Sequence, residues 1–232
     1  MRSVVLIPTY NEIDSLPSAL DRVRSAAVQA HILVIDDNSP DGTGALADAR
    51  AQSDDHIHVL HRTEKNGLGP AYLAGFKWAL ENDFELIIEM DADGSHRAED
   101  LALLIQRAEM ADKPDLVIGS RWISGGATQG WSQKRVLLSR AGNVYINLAL
   151  GLNVRDATAG FRVYRADLLR RMDLNKVEAL GYGFQVNMTL LVYQVGGRIV
   201  EMPITFLERE AGESKLSGGI FTEELKLVTR WG

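Results

Sequence analysis

Five short apolar runs, separated by segments with helical periodicity, constrain the fold of this chain more than any other feature. They are Ser3–Pro8, His31–Ile35, Ile57–His61, Leu86–Ile88 and Asp115–Gly119. Apolar runs rich in β-branched residues that end near Pro, Asp or Gly are typical of buried strands. Strands that alternate with helices at this spacing predict an α/β fold with a doubly wound parallel sheet.

The segments between these runs predict helices, and in the first of them Leu16, Leu20 and Val23 share one face. The predicted helices of the whole chain are Ser15–Ala27, Thr43–Ala51, Pro70–Leu80, Ala98–Glu109, Gln133–Leu152, Ala166–Met172, Tyr182–Val195 and Ile220–Trp231. Two further strands are predicted at Phe161–Tyr164 and Gly197–Leu207. Pro203 assigns the second of them to a sheet edge, because proline cannot donate a hydrogen bond to a neighbouring strand.

Polar, mostly acidic loops follow three of the predicted strands, at Pro8–Glu12, Asp36–Asn38 and Asp91–Asp93. Right-handed crossovers bring the carboxyl ends of parallel strands to one edge of the sheet, where ligands collect. Two carboxylates one residue apart are costly to bury there without a cation, and their hard oxygen atoms favour Mg²⁺ or Mn²⁺. A lone DxD motif is also typical of a solvated Asp-Gly turn, but three such loops facing one crevice favour the metal site.

The composition argues against several other classes of protein. A chain of 232 residues with 46% hydrophobic and 24% charged residues is globular, and its net charge of −6 suits nucleic-acid binding poorly. The absence of cysteine excludes disulfides, thiolate zinc sites and cysteine nucleophiles. No apolar run approaches the roughly 18 residues of a membrane-spanning helix. His31, His56, His58 and His61 have no metal-ligand spacing, and we expect them to be structural.

The predicted helix Gln133–Leu152 carries a polar stripe, because Arg135, Ser139 and Asn143 are four residues apart and share one face. A guanidinium group, a hydroxyl and an amide suit a phosphate, which arginine binds with bidentate geometry. A solvated helix face has the same pattern, so the helix by itself leaves both interpretations open.

The C-terminal segment Ile220–Trp231 is amphipathic, and its apolar arc has two interpretations. The commoner one is packing against the sheet domain, and the other is an interfacial helix on a membrane. The charged stretch Glu208–Ser217 that precedes it is expected to be mobile.

Together these stretches resemble family 2 glycosyltransferases with a GT-A fold, and among them the polyprenol (dolichol) phosphate mannose synthases. The matching motifs are IPTYNE (Ile7–Glu12), VIDDNSPDGT (Val34–Thr43), GLGPAYLAGF (Gly67–Phe76), MDADGSH (Met90–His96), GSRW (Gly119–Trp122) with Gly125 and Gly126, W-x₃-R-x₃-S-R-x₂-N (Trp131–Asn143), D-x-T-x-G-F-R (Asp156–Arg162) and R-x₂-G-x-S-K (Arg209–Lys215). They follow one another through nearly the whole chain. Ser95 and Asn187 depart from the family pattern, where Gln and an acidic residue are common.

The resemblance implies a Rossmann-like, mostly parallel sheet and the inverting transfer of mannose from GDP-mannose to a polyprenyl (dolichyl) monophosphate, giving polyprenyl-phosphate β-mannose. Mg²⁺ or Mn²⁺ would lie on Asp91, Asp93 and Ser95, and the implied catalytic residues are Asp91, Asp93 and Arg121. The implied donor-binding residues are Pro8, Tyr10, Glu12, Asp37, Asp91, Ala92, Asp93, Arg209 and Lys215. Those implied for the acceptor phosphate are Arg121, Arg135, Ser139 and Arg209.

The resemblance also implies one domain over residues 1–232, with a nucleotide-sugar half (1–119), an acceptor half (120–218) and the amphipathic helix (219–232). Its partners would be GDP-mannose, the lipid and the cytoplasmic surface of a membrane, with a membrane-embedded partner protein or domain left open and no nucleic acid. Two alternatives remain. A UDP-glucose-dependent polyprenyl-phosphate glucosyltransferase would keep the fold, and a non-catalytic nucleotide-sugar-binding module would keep the metal motif.

Overall fold

The computed structural model describes residues 1–179, 181, 183–208 and 227–231. The strands, in chain order, are β1 (Ser3–Thr9), β2 (His31–Asp36), β3 (Ile57–His61), β4 (Leu86–Glu89), β5 (Leu116–Ser120), β6 (Ala127–Thr128), β7 (Arg162–Arg165), β8 (Ile199–Pro203) and β9 (Thr205–Phe206). The helices are α1 (Leu16–Ala26), α2 (Thr43–Ser53), α3 (Leu68–Glu81), α4 (Ala98–Glu109), α5 (Gln133–Leu150), α6 (Ala166–Arg171) and α7 (Gly183–Gln194), with a 3₁₀ turn at Leu174–Lys176. Arg209, Lys215 and most of Ile220–Trp231 lie outside the described residues.

Within the described residues one large sheet has the strand order β3-β2-β1-β4-β7-β5-β8, and β6 pairs with β9 separately. Strands β1 to β4 run parallel, in a register that places Thr9 opposite Asp36. Just beyond β4, the amide of Met90 donates to the carbonyl of Leu6 on β1. The carboxyl ends of β1, β2 and β4 therefore meet at one edge of the sheet, as the sequence predicted.

Strand β7 runs antiparallel between β4 and β5, so the sheet is mostly parallel, as the family resemblance implied. It starts from the turn Asp156–Gly160, and Gly160 lies beside Asp91 at the ligand edge. Strands β1, β2 and β4 end at that edge, whereas β7 begins there, so β7 runs in the opposite direction. The confirmed fold class is therefore a mostly parallel α/β sheet flanked by helices.

Helices cover both faces of the sheet and divide its core in two. Val4 and Leu6 pack with α3 and α7, whereas Val5 and Ile7 pack with α1 and α4. Alternate strand residues point to opposite faces, so a strand buried on both sides is apolar throughout. This is why the predicted strands are continuous apolar runs.

After β5, the structure differs from the predictions mainly in the residues at which helices and strands begin and end. Pro203 ends β8, which is an edge strand as predicted, while the predicted strand Gly197–Leu207 is broken into β8 and β9. Residues 227–231 are helical, and the buried Val228 packs with Ile146 and Val186, so this part of the C-terminal segment packs on the domain. None of the helices in the described part of the chain combines the length and hydropathy of a membrane span.

Candidate active site

Asp91 and Asp93 follow β4 at the ligand edge of the sheet. The Oδ1 atom of the buried Asp93 accepts hydrogen bonds from the Ser95 amide at 3.0 Å and from the Ser95 hydroxyl at 2.6 Å. Gly94 makes this tight turn possible with a φ of 84°, which glycine adopts without strain. Ser95, predicted as a metal ligand, is thus in position to orient the carboxylate of Asp93.

The donor set of this turn fits a hard divalent cation. Carboxylate oxygens are the ligands that Mg²⁺ and Mn²⁺ favour. The described residues contain no cluster of three or more His, Cys, Asp or Glu side chains that could enclose a metal. A cation on Asp91 and Asp93 would therefore complete its coordination with substrate phosphates and water, as Mg²⁺ usually does.

His96 holds the Asp91–Asp93 turn from inside the protein. Its Nδ1 accepts a hydrogen bond from the Asp91 amide at 3.0 Å, and its Nε2 lies 4.0 Å from Asp91 Oδ2. Because Nδ1 accepts, the ring proton is assigned to Nε2, which faces the carboxylate. Burial lowers the pKa of His96 to about 4, so the ring is neutral at pH 7. His96 also stacks on Phe161, at 4.4 Å between ring centroids.

A second buried carboxyl group lies behind the turn, at Glu89 on β4. The Gln185 amide donates to Glu89 Oε2 at 2.8 Å, and burial raises the pKa of Glu89 to about 8. Arg162 is opposite Glu89 in the β4–β7 register and is fully buried. No sequence prediction singled out Glu89 or Gln185. Their pairing depends on the packing of α7 against β4, which local sequence patterns do not reveal.

The turn Asp156–Gly160 is fixed from both sides. Arg162 donates to the carbonyl oxygens of Ala157 at 2.8 Å and Ala159 at 2.7 Å. Glu201 on β8 accepts a hydrogen bond from the amide of Asp156 at 3.0 Å. The turn is therefore preorganised beside the metal motif.

Of the predicted donor-binding residues, Pro8, Tyr10, Glu12 and Asp37 lie at the ends of β1 and β2. Pro8 is opposite Ile35 in the β1–β2 register, and Ala92 is buried within the Asp91–Asp93 turn. Glu12 accepts a hydrogen bond from the Ser15 hydroxyl at 2.6 Å, and its amide donates to Thr43 Oγ1 at 3.0 Å.

The loops at the ends of β1 and β2 have an unusual backbone. Asn11 and Asn38 both have φ of 58°, in a region that non-glycine residues enter uncommonly and asparagine enters most readily. Sparsely populated conformations of this kind cluster at functional sites.

Asp37 meets a partner that the sequence predictions missed. Its Oδ1 accepts from Arg62 Nη1 at 2.6 Å, and burial, which outweighs the effect of Arg62, raises the pKa of Asp37. The Lys65 ammonium lies 3.9 Å from the centroid of the Tyr10 ring. Arg62 directly follows β3, so the sequence could have placed it at the same sheet edge as Asp37.

Arg121 is buried in an ion pair rather than exposed. Only 7% of its surface is accessible, and its Nε and Nη2 donate to the two oxygens of the fully buried Asp156 at 2.8 and 2.7 Å. Its Nη2 also donates to Thr158 Oγ1 at 2.9 Å. Phe206 lies between Arg121 and His96, and its ring centroid is 5.5 Å from both the Arg121 guanidinium carbon and the His96 ring centroid. Arg121 and the metal motif therefore belong to one site.

The polar stripe of α5 faces this cluster. Arg135 donates to Glu208 at 2.7 Å and lies 3.8 Å above the centroid of the Trp131 ring. Asn143 donates to the carbonyl of Ser139 at 3.0 Å and to Thr158 at 3.1 Å. The structure thus brings Arg135 and Ser139 to the Arg121 side of the site, while Arg209 lies outside the described residues.

The opposite side of α5 is an exposed apolar stripe that the sequence predictions did not identify. Leu137, Val144 and Leu148 are 71%, 60% and 80% exposed, and they lie one to three turns apart on the helix. Beside the stripe is a cleft of about 440 Å³, lined by Trp122, Arg140, Asn143, Val144, Asn147, Leu148, Leu152, Asn153, Val154 and Arg155. Large exposed apolar residues in a row mark interaction surfaces for proteins, ligands or membranes.

Comparisons with known proteins identify the family to which this chain belongs. The family described as Glycosyl transferase family 2 matches residues 4–173. The chain is 55% identical to an undecaprenyl-phosphate mannosyltransferase of Micrococcus luteus, over its whole length and 94% of that protein. It is 48% identical to a polyprenol monophosphomannose synthase of Mycolicibacterium smegmatis, over its whole length and 87% of that protein.

The fold also resembles that of a solved mannosyltransferase, PcManGT from Pyrobaculum calidifontis in complex with GDP-Man and Mn²⁺. The TM-score is 0.60 at 18% sequence identity. The alignment covers 91% of this chain and 58% of that structure. At this level of identity the similarity shows the fold alone.

Proposed function

The chain belongs to glycosyltransferase family 2, and from this membership we propose that it transfers mannose from GDP-mannose to a polyprenyl monophosphate, with inversion at the anomeric carbon. The names of the two relatives that match its full length support the sugar and the acceptor class. The observation that carries the proposal is helix α5. Its polar stripe meets the Arg121–Asp156 cluster, and its opposite side exposes apolar residues beside the cleft lined by Trp122 and Arg140.

The proposed acceptor, a phosphate monoester, is nucleophilic without a general base. A phosphate monoester has its second pKa near about 6, so its oxygen already carries negative charge at pH 7. We infer that the protein contributes positioning and charge neutralisation rather than a general base. Arg135 and Ser139 on α5 would hold the phosphate, with Arg121 behind them. Arg121 is fixed by Asp156 in a pair without net charge, so it would position this side of the site without having to reorganise.

Asp91 and Asp93, with Ser95 orienting Asp93, would hold Mg²⁺ or Mn²⁺. Such a cation neutralises the charge that develops on a leaving nucleoside diphosphate. Pro8, Tyr10, Glu12 and Asp37 would bind the base and ribose of the donor, because a carboxylate readily accepts hydrogen bonds from ribose hydroxyls. Arg62 would orient Asp37 for this contact.

The exposed stripe of α5 supports a lipid acceptor. Lys134, Arg135 and Arg140 lie on the same helix, and a basic helix with exposed apolar residues is suited to the surface of an anionic bilayer. We propose that the protein works as a peripheral enzyme on the cytoplasmic face of a membrane, with α5 turned toward the lipid. We propose the division into a donor half (1–119) and an acceptor half (120–218) on the same grounds.

The test is transfer of radiolabelled sugar from GDP-mannose, and in parallel from UDP-glucose, to a short polyprenyl phosphate with Mg²⁺ or Mn²⁺. We expect labelled lipid from GDP-mannose only, and none with Asp91→Ala. Asp55→Ala, an exposed carboxylate in the α2–β3 loop, is the matched control and should retain full activity. Labelling from UDP-glucose alone would overturn the donor assignment. Tight donor binding without lipid product would favour a binding module.

A further inference from the structure

Arg135, which the proposed function assigns to the acceptor phosphate, is already paired with a carboxylate. Its Nη1 donates to Glu208 Oε1 at 2.7 Å, while its guanidinium carbon lies 3.8 Å from the centroid of the Trp131 ring. The side chains of Arg135 and Glu208 are 32% and 46% exposed. A ligand that arrives from solvent can therefore reach both members of the pair.

The position of Glu208 is fixed by its backbone as well as by the ion pair. Its amide donates to the carbonyl of Gln129 at 2.9 Å, and the amide of the preceding Leu207 donates to the carbonyl of Ser95 at 3.0 Å. A Cβ atom at Gly130 would lie 2.6 Å from the Glu208 Cβ, so the absence of a side chain at Gly130 makes room for Glu208. The fold therefore holds this carboxylate beside the guanidinium group.

A phosphate bound to Arg135 would compete with Glu208 for the same guanidinium group. Arginine binds a phosphate best with two parallel N–H groups, and Glu208 already occupies Nη1. A phosphate monoester carries a charge of about −1.5 to −2 at pH 7, so a carboxylate that stayed on Arg135 would repel it. Acceptor binding therefore has to break or weaken the Arg135–Glu208 pair.

We propose that Glu208 is a built-in competitor of the phosphate at Arg135, which lowers the affinity for acceptor and product alike and returns to Arg135 as the product leaves. The inference rests on the proposed function, which places the acceptor phosphate at Arg135. In the transfer, the bond from the sugar to the diphosphate breaks, its electrons leave with the diphosphate, and the acceptor oxygen bonds to the sugar. The phosphate monoester thereby becomes a diester with a single negative charge. The carboxylate keeps its charge throughout, so the product competes with it less well than the acceptor does.

The test is calorimetric titration of geranyl phosphate, a short isoprenyl monophosphate, into the wild-type protein, Glu208→Gln, Arg135→Gln and the double variant. Glu208→Gln should lower the Kd about two- to fivefold, which corresponds to the stability of an exposed ion pair. In the Arg135→Gln background the same substitution should leave the Kd unchanged, because no pair remains to be broken. A change of equal size in both backgrounds would mean that Glu208 acts through its long-range field alone, and it would overturn the inference.

Steady-state kinetics with GDP-mannose and a short polyprenyl phosphate give a second readout. Glu208→Gln should lower the KM for the acceptor by the same factor, whereas kcat should stay the same or fall, because the product is also held more tightly. Damage to the fold would instead raise the KM. Asp167→Asn, which breaks the exposed pair with Arg170 on α6, is the matched control and should change neither the Kd nor the KM.

The binding experiment separates this inference from the proposed function. Geranyl phosphate that binds the wild type and Glu208→Gln with the same Kd would refute competition by Glu208 and leave the acceptor assignment intact. Failure of geranyl phosphate to bind either protein would overturn the acceptor assignment together with the inference.

Discussion

The ion pair of Arg121 and Asp156 offers a sharp test of the site's architecture. Asp156 has no accessible surface, and both of its oxygens bind the guanidinium group of Arg121. The amide of Arg121 adds a third hydrogen bond to the same carboxylate at 2.9 Å. Removing one member of such a pair leaves the other charge buried without its partner, which costs about 3–5 kcal/mol.

A double-mutant cycle of Asp156→Asn and Arg121→Met measures this coupling. Each single substitution should lower the free energy of unfolding by about 3–5 kcal/mol. The double variant should cost about as much as one single variant, because it buries no unpaired charge. The resulting interaction energy is then about 3–5 kcal/mol, at or above the upper end of the range found for residues in direct contact.

The assay is urea unfolding at pH 7, followed by tryptophan fluorescence. Trp122 and Trp131 both lie against the Arg121 guanidinium and report on this region. The exposed pair of Arg170 and Asp167 on α6 is the control, and breaking it should cost less than about 1 kcal/mol. Additivity of the two Arg121–Asp156 substitutions within about 0.5 kcal/mol would refute the reasoning, since independent sites behave in that way.

Three further predictions concern pH, the metal motif and α5. Burial lowers the pKa of His31 to about 4, beside His58 at 2.9 Å, so its contribution to stability is complete above about pH 6.5 and is lost as the pH falls toward 4. Urea midpoints between pH 4.5 and 7.5 should therefore vary less in His31→Phe than in the wild type, and an equal slope would contradict this. Removal of divalent metal with EDTA should abolish sugar transfer, and added Mn²⁺ should restore it in the wild type but not in Asp91→Asn. Leu148→Glu should leave the melting temperature unchanged but reduce cosedimentation with anionic vesicles several-fold, whereas the same loss in the exposed control Leu103→Glu would argue against α5 as the membrane surface.

Local patterns in the sequence predicted the elements of this fold well. Strand β3 and helix α4 begin and end at the predicted residues, and Pro203 correctly indicated an edge strand. Periodicity works here because an element shows its apolar side at a spacing set by its own backbone. The same reasoning placed Asp91, Asp93 and Asp37 at one sheet edge before any contact was known.

The direction of β7 and the partners of the site residues were decided by the tertiary structure. The sequence of a buried strand has the same apolar pattern whether the strand runs parallel or antiparallel. No local feature therefore indicated the direction of β7. Arg121 and Asp156 are 35 residues apart, and neither residue type shows which carboxylate a guanidinium group will meet. Sequence reasoning expected Arg121 to be available to a phosphate, whereas the structure places it in a buried pair.

Helix α5 shows the same division most clearly. Its sequence determined that it would be a helix with a polar stripe, because residues four apart must share a face. Whether its leucines would be covered depended on what else packs there, and the structure leaves Leu137 and Leu148 exposed. Side-chain type and spacing are local properties of the chain, but burial and partner choice depend on the packing of the whole molecule.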